Sequence, residues 1–124
     1  MISADTSSIS AFLRGESGAD VERLAEALVS RKLAIAPVVL TEILTDPFAG
    51  PALDEAAPEL LLLEIVEGYW RRAGEMRRLI KSKKLRAKIA DSLIAQSCID
   101  HDVALISRDA DFRHFAEHCG LKLA

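Results

Sequence analysis

Short continuous apolar runs alternate along this chain with stretches whose apolar residues recur every three or four positions. The first pattern is that of a buried strand, the second that of a helix with one face against a core. Residues 1–4 form a weak strand candidate. A helix then follows the cluster Thr6, Ser7, Ser8, runs through Phe12 and Leu13, and ends near Gly15, with residues 15–18 as a turn. Val21, Leu24 and Leu28 mark one face of a second helix, which Ser17 or Asp20 is placed to cap. Residues 33–36 read as a short buried strand. Pro37 suits the first turn of the next helix, where a missing N–H costs little. That helix carries Thr41, Glu42, Ile43 and Leu44 and stops before Pro47.

Residues 46–58 hold the other three prolines and read as a loop with one helical turn at most. Residues 60–66 form a second apolar run and a strand candidate. Tyr69, Ala73, Met76 and Ile80 then mark a helix by their spacing. A further helix covers residues 89–101, a strand residues 103–106, and a last helix residues 109–118, closed by Gly120. Residues 121–123 are a final short strand. The order β-α-α-β-α-β-α-α-β-α-β predicts an α/β fold: a mostly parallel sheet with helices on both faces. Such sheets carry function at the carboxyl ends of their strands.

At 124 residues, half of them hydrophobic and 28% charged, the chain reads as one globular domain over residues 1–124. The opening MISADTSSIS has no Lys or Arg, which is wrong for a secretory signal, and the apolar runs are too short to span a bilayer. The expectation is a soluble, cytoplasmic protein with no membrane partner. Cys98 and Cys119 form no CxxC pair and read as reduced, buried small hydrophobes.

Acidic residues change this picture. Asp5 follows the first strand candidate directly. Glu42 sits inside Val38-Val39-Leu40-Thr41-Glu42-Ile43-Leu44, and Asp91 inside Ile89-Ala90-Asp91-Ser92-Leu93-Ile94. Asp109 lies just past a strand end, and Asp111 two residues on. Singly, each has a structural explanation: Asp5, Asp91 and Asp109 as helix caps, Glu42 as partner of a base. Together, Asp5 and Asp109 fall on the edge where α/β proteins place their sites, and Glu42 and Asp91 near the starts of helices on that same edge. Converging carboxylates repel, and hard oxygen-seeking cations such as Mg²⁺ or Mn²⁺ relieve the repulsion. No His or Cys cluster competes: His114 and His118 are four apart on a helix but lack a third ligand.

Charge is unevenly spread as well. Nine of the 16 basic residues fall within residues 71–88, against the single acid Glu75. That segment carries +8 and leaves −11 to the rest of a chain whose total is −3. A solvated helix face mixes signs; this one does not, and it fits contact with nucleic-acid phosphates. Arg77, Arg78, Lys81, Lys83, Lys84, Arg86 and Lys88 are the candidates. Tyr69, Trp70 and Phe112 read as core residues, the alternative being an aromatic platform for bases.

Asp5-Thr6-Ser7 after the first strand, Thr41-Glu42-Ile43-Leu44, Ala90-Asp91-Ser92-Leu93-Ile94-Ala95 and Ser107-Arg108-Asp109-Ala110-Asp111-Phe112 occur in this order over nearly the whole chain. In them the sequence resembles the PIN-domain ribonucleases, and among these the VapC-type toxins of toxin–antitoxin pairs. The resemblance implies a PIN-like three-layer sandwich with its acids at one edge. It implies Asp5, Glu42 and Asp91 as the family's recurrent acids, Asp109 as a fourth and Asp111 as a frequent neighbour. Thr6 and Ser7 would orient the first carboxylate or a metal-bound water. The implied activity is Mg²⁺- or Mn²⁺-dependent endoribonuclease, and the implied partners are RNA, a cognate VapB-like antitoxin and a second copy of the chain. The first strand is more polar, and the proline loop more compact, than is usual in the family. Two alternatives stand beside this: a non-catalytic RNA- or partner-binding module of the same fold, and a phosphatase forming an aspartyl-phosphate at Asp5. The latter usually has a second Asp two residues on, where this chain has Ser7.

Overall fold

The computed structural model describes residues 1–124. Its elements run β1 (Ile2–Ala4), α1 (Thr6–Leu13), α2 (Ala19–Val29), β2 (Ala34–Ile35), α3 (Pro37–Thr45), α4 (Ala49–Ala56), β3 (Leu61–Leu62), α5 (Tyr69–Ser82), α6 (Ile89–Asp100), β4 (Ala104–Ile106) and α7 (Phe112–Cys119). β1 pairs in parallel with β4, Ile2 opposite Ala104, and β2 in parallel with β3, Ala34 opposite Leu61. A parallel bridge between Ile2 and Leu33 joins the two pairs, and another between Leu105 and Leu123 adds the chain's end beyond β4. The spatial order is therefore β3-β2-β1-β4-Leu123, every pairing parallel.

This order decides where the helices lie. From β1 the chain steps through β2 to β3 in one direction, then returns across the sheet to β4 and continues the opposite way. Right-handed crossovers then put α1–α4 on one face and α5–α7 on the other. The packing follows: α1 touches α2, α3 and α4, while α5, α6 and α7 touch one another. Between the layers lies one cluster of 25 buried apolar residues, with Ile35, Ile43, Ile80, Ile94, Leu105, Phe112 and Phe115 almost wholly removed from water. Each such side chain contributes about 1.5–3 kcal/mol through burial. The fold is the α/β sandwich that the order of elements predicts.

Local departures have local causes. The proline-rich stretch forms a full helix, α4, where a loop was expected. Pro51 falls in its first turn, where backbone N–H groups have no intrahelical partner to lose. Asp46 Oδ1 accepts from Phe48 N (2.8 Å) and Ala49 N (3.2 Å), supplying the acceptor that a helix start needs. The expected strand over residues 60–66 shrinks to β3, whose leucines are about half exposed. It is the outermost strand, with a ladder partner on one side only. α7 starts at Phe112 rather than 109, because residues 107–111 are used in a hydrogen-bonded turn described below, and it ends at Gly120 with φ +82°. Cys98 is in the core, and burial pushes its thiol up to about 12; Cys119 is only half-buried.

A carboxylate cluster at the topological switch point

β1 and β4 are neighbours whose following connections leave in opposite directions. Such a switch point opens a crevice at the carboxyl ends of the strands. Asp5, the residue after β1, extends the ladder by one bond, its N–H donating to Ile106 O (3.0 Å). Its side chain is 3% exposed and accepts hydrogen bonds from Ser7 Oγ (2.9 and 2.8 Å), Ser8 N (3.0 Å) and Ser107 Oγ (2.6 Å). Asp5 is thus the N-cap of α1 and a member of the site at once. Burial raises its carboxyl above the usual range and Asp109 adds to this; the three donors, Ser107 foremost, oppose it.

The turn after β4 is built around Ser107. Its hydroxyl donates to Asp5 and accepts from Asp109 N (2.9 Å), while Asp109 Oδ1 accepts from Asp111 N (2.9 Å). One hydroxyl therefore sets the spacing between the acid of β1 and the acids of the β4 turn. Arg108 points the other way. It grips Asp20 at the start of α2 (Nε to Oδ2 2.8 Å, Nη2 to Oδ1 3.1 Å) and donates to Ser17 O (3.3 Å). Asp20, held at about 2 chiefly by Arg108, also accepts from Ser8 Oγ (2.9 Å). The chain Arg108–Asp20–Ser8–Asp5 ties the β4 turn to Ser8, whose backbone N–H donates to the Asp5 cap of α1.

Sequence reading gave Asp20 a capping role that it does not have. The N-cap of α2 is Gly18, without a side-chain bond. The available signal was a lone arginine directly before Asp109. Gly18 is itself fixed by this contact: at φ +151°, an added Cβ would lie 2.6 Å from Asp20 Oδ1 and 3.2 Å from Arg108 Nη2. Gly18→Ala is expected to destabilise the protein by about 1 kcal/mol or more, read from denaturant melts. Unchanged melting would mean that the pair carries no strain-sensitive load.

Asp91 is the third residue of α6, whose N-cap is Lys88, so it caps nothing. Its Oδ2 is buried without a hydrogen-bond partner. Burial first, then Asp109, and to a smaller extent Asp5 and Glu42, push its carboxyl up to about 6 against the pull of Lys88. Carboxylate oxygens of Asp91, Asp109 and Asp111 all lie within 4.8 Å of one another. Glu42 is the sixth residue of α3, past its middle rather than near its start, and accepts from Thr6 Oγ1 (2.6 Å) instead of pairing with a base. Of the two hydroxyls, then, Ser7 orients Asp5 and Thr6 orients Glu42. The five acids converge from β1, α3, α6 and the β4 turn, and Asp91 feels all but Asp111 electrostatically. His114 and His118 are no part of the cluster.

This all-oxygen donor set fits a hard divalent cation. The orphaned Asp91 oxygen is an acceptor with no partner in the protein, and burial together with the neighbouring acids makes the charged form of Asp91 costly, which a bound cation would relieve. Arg86, 4.0 Å from Asp111, is the closest cation to the cluster's edge.

The basic segment forms α5 and the turn leading to α6. Part of it is structural: Arg72 pairs with Asp100 (2.5 Å), and Arg77 Nε donates to Ala87 O (2.8 Å). Arg78, Lys81, Lys83, Lys84, Arg86 and Lys88 are exposed. Tyr69 and Phe112 are in the core as expected, but Trp70 is not: it is 66% exposed.

A parallel α/β sandwich with a cation-fitting carboxylate cluster at its switch point defines a class of metal-site folds. Within it, the PIN domain family model matches residues 2–118, and the chain belongs to the PIN domain family. PIN domains are generally nucleases that use divalent metals. Two solved structures share the fold. One is VapBC2 from Rickettsia felis bound to a DNA fragment from their promoter (TM-score 0.78, 20% identity, covering 100% of this chain and 98% of that one). The other is FitAcB from Neisseria gonorrhoeae (TM-score 0.70, 19% identity, covering 99% and 96%). No curated protein sequence matches this one. No helix is long and apolar enough to cross a membrane.

Proposed function

We propose that this protein is a Mg²⁺- or Mn²⁺-dependent endoribonuclease acting as the toxin of a toxin–antitoxin pair. The observation that carries the reading is the convergence of Asp5, Glu42, Asp91 and Asp109 around an Asp91 oxygen with no partner. Asp5 and Asp91 would hold the principal ion; Glu42 and Asp109 would hold a second ion or orient the attacking water. A bound cation lowers the pKa of its water and offsets charge developing on the phosphate. Ser107 and Ser7 keep Asp5 aimed at the cluster, and Thr6 does the same for Glu42. Asp111 extends the donor set toward Arg86.

Cleavage of single-stranded RNA with Mg²⁺ or Mn²⁺, abolished by a chelator and restored by adding the metal back, is the direct test. Activity indifferent to chelation would refute the metal site. Cleavage of a small phosphate ester but not RNA would instead favour a phosphatase.

Arg77, Arg78, Lys81, Lys83, Lys84, Arg86 and Lys88 are the proposed contacts to RNA phosphates. Changing Arg78, Lys81, Lys83 and Lys84 to Gln should weaken RNA binding and flatten its dependence on salt. Each lost phosphate contact reduces the log–log slope by about 0.7 for a single strand. An unchanged slope would make the strip a solvated face only. A VapB-like antitoxin covering the acidic cleft, and a homodimer, complete the proposal. Both similar structures, VapBC2 and FitAcB, are toxin–antitoxin assemblies, which supports an antitoxin partner.

A further inference from the structure

Beside the carboxylate cluster, α5 and α6 enclose an open groove of about 530 Å³. Its α5 wall is one helix face, carrying Trp70, Gly74, Arg77, Arg78 and Lys81; its α6 wall carries Ile89, Ser92 and Leu93. No acid lines it. We propose that this groove is a nucleotide subsite: Trp70 stacks on a base of single-stranded RNA while Arg78 and Lys81 hold adjoining phosphates. The proposal rests on the ribonuclease reading and names where the strand leaves the cluster.

Three features point to a flat ligand carrying negative charge. The Trp70 indole is exposed yet held in place. It packs edge-on against Tyr69 (centroids 5.0 Å apart, planes at 78°), and Tyr69 is buried and donates from its hydroxyl to Leu93 O (2.6 Å). A tryptophan so exposed leaves a large apolar face in water unless something covers it. Gly74, one turn beyond Trp70, has nothing within 4 Å of where its Cβ would be. A glycine inside a helix sacrifices stability relative to alanine, and no packing contact here demands it. Its effect is to leave bare backbone and free volume beside the indole. The charge, finally, is of one sign. A second copy of the chain docking two-fold on this face would bring Arg78 and Lys81 toward their own equivalents, which is repulsive. A polyanion with π-faces matches both features of the groove.

The distance also suits RNA. Ile89, Ser92 and Leu93 line the groove, whereas Asp91, at ~100° per residue, falls on the other side of α6, where its neighbours are Asp109 and Asp111. The two sites are thus separated by about one helix diameter, ~10 Å. Successive phosphates of a stacked strand advance ~3.4 Å, so the stacked base would lie a few nucleotides from the scissile bond.

Trp70 is the chain's single tryptophan, and its emission reports on the groove directly. The test uses the full chain carrying Asp91→Asn, which binds without turnover, and a short labelled single-stranded RNA at low salt. Trp70 emission should be quenched with the same midpoint as the rise in RNA anisotropy. A ribose-phosphate strand without bases should leave the emission unchanged. Trp70→Ala should weaken binding about tenfold or more, Trp70→Phe should restore most of it, and Gly74→Leu, filling the groove, should weaken it without lowering thermal stability. Binding by anisotropy with no change in emission, or with Trp70→Ala unaffected, overturns the subsite and leaves the nuclease reading intact. If Trp70→Ala converts a dimer to a monomer in sedimentation, the face belongs to a second copy and the subsite is wrong. No binding of any RNA sinks the nuclease reading and the subsite with it.

Discussion

Asp91→Asn is expected to abolish RNA cleavage and, in the absence of metal, to make the protein more stable. Loss of activity should be at least about a hundredfold, since losing even a residue that supports a metal ligand costs 10–100-fold. The stability effect follows from proton linkage. Asp91 titrates near 6 in the folded state, above its ordinary value of 3.8. Between about pH 4 and 6 the folded protein therefore holds a proton that the unfolded chain has released. Stability from this group is greatest below pH 4 and falls as pH rises through 6. Asparagine carries no charge to bury, so the variant should melt a few degrees above the parent at pH 7.5 without metal. The gain is on the order of 1 kcal/mol, reduced from the full linkage value because solvent screens a half-buried group. The gap should close at pH 4. Added Mg²⁺ should raise the parent's melting temperature at pH 7.5 and leave the variant's unmoved. A variant that melts lower than the parent at neutral pH would show that Asp91 is not the strained carboxylate, and one that gains from Mg²⁺ as much as the parent does would show that it is not a ligand.

Asp5 should separate chemistry from architecture by the choice of replacement. Asp5→Asn keeps an N-cap, because asparagine caps as well as aspartate, and the Ser7 and Ser107 hydroxyls can rotate to suit an amide. It should fold normally and be inactive. Asp5→Ala removes the acceptor for Ser8 N, Ser7 Oγ and Ser107 Oγ together. It should lose activity and also about 1–3 kcal/mol of stability in denaturant melts. If the two variants melted alike, the hydrogen bonds around Asp5 would be incidental to the fold. If Asp5→Asn cleaved RNA at the parent's rate, the first acid of the cluster would have no part in the reaction.

The charge and chemistry of the cluster were readable because they defied their surroundings. An ionisable side chain inside Ile89-Ala90-Asp91-Ser92-Leu93 is costly unless something repays it, and the amino-acid string states that much without coordinates. Arg108 and Asp20 were not readable as a pair. They are 88 residues apart, and Asp20 had an adequate local explanation as a helix cap. Trp70 was misassigned for a related reason. It follows Tyr69, whose burial the spacing with Ala73, Met76 and Ile80 announces, and how far the buried face of α5 extends sideways to Trp70 is decided by how α5 packs against α6. α4 was masked by Pro51 within it and by Pro47 and Pro58 on either side, although Ala-Leu-Asp-Glu-Ala within it favours a helix. The first turn accommodates Pro51, and that depends on where the helix starts, which Asp46 fixes.

By itself, the order of residues determined the class of elements, their number to within one helix and one strand, the parallel sheet, and the acids that had no comfortable place in it. These follow from periodicity and from the cost of burying charge, both local properties of a string. Tertiary structure alone decided that Ser107 would space Asp5 from Asp109, that Thr6 would hold Glu42, and that one oxygen of Asp91 would be left without a partner. Those outcomes depend on which strands become neighbours. Strand pairing is settled by packing the whole core at once, so no segment carries the answer.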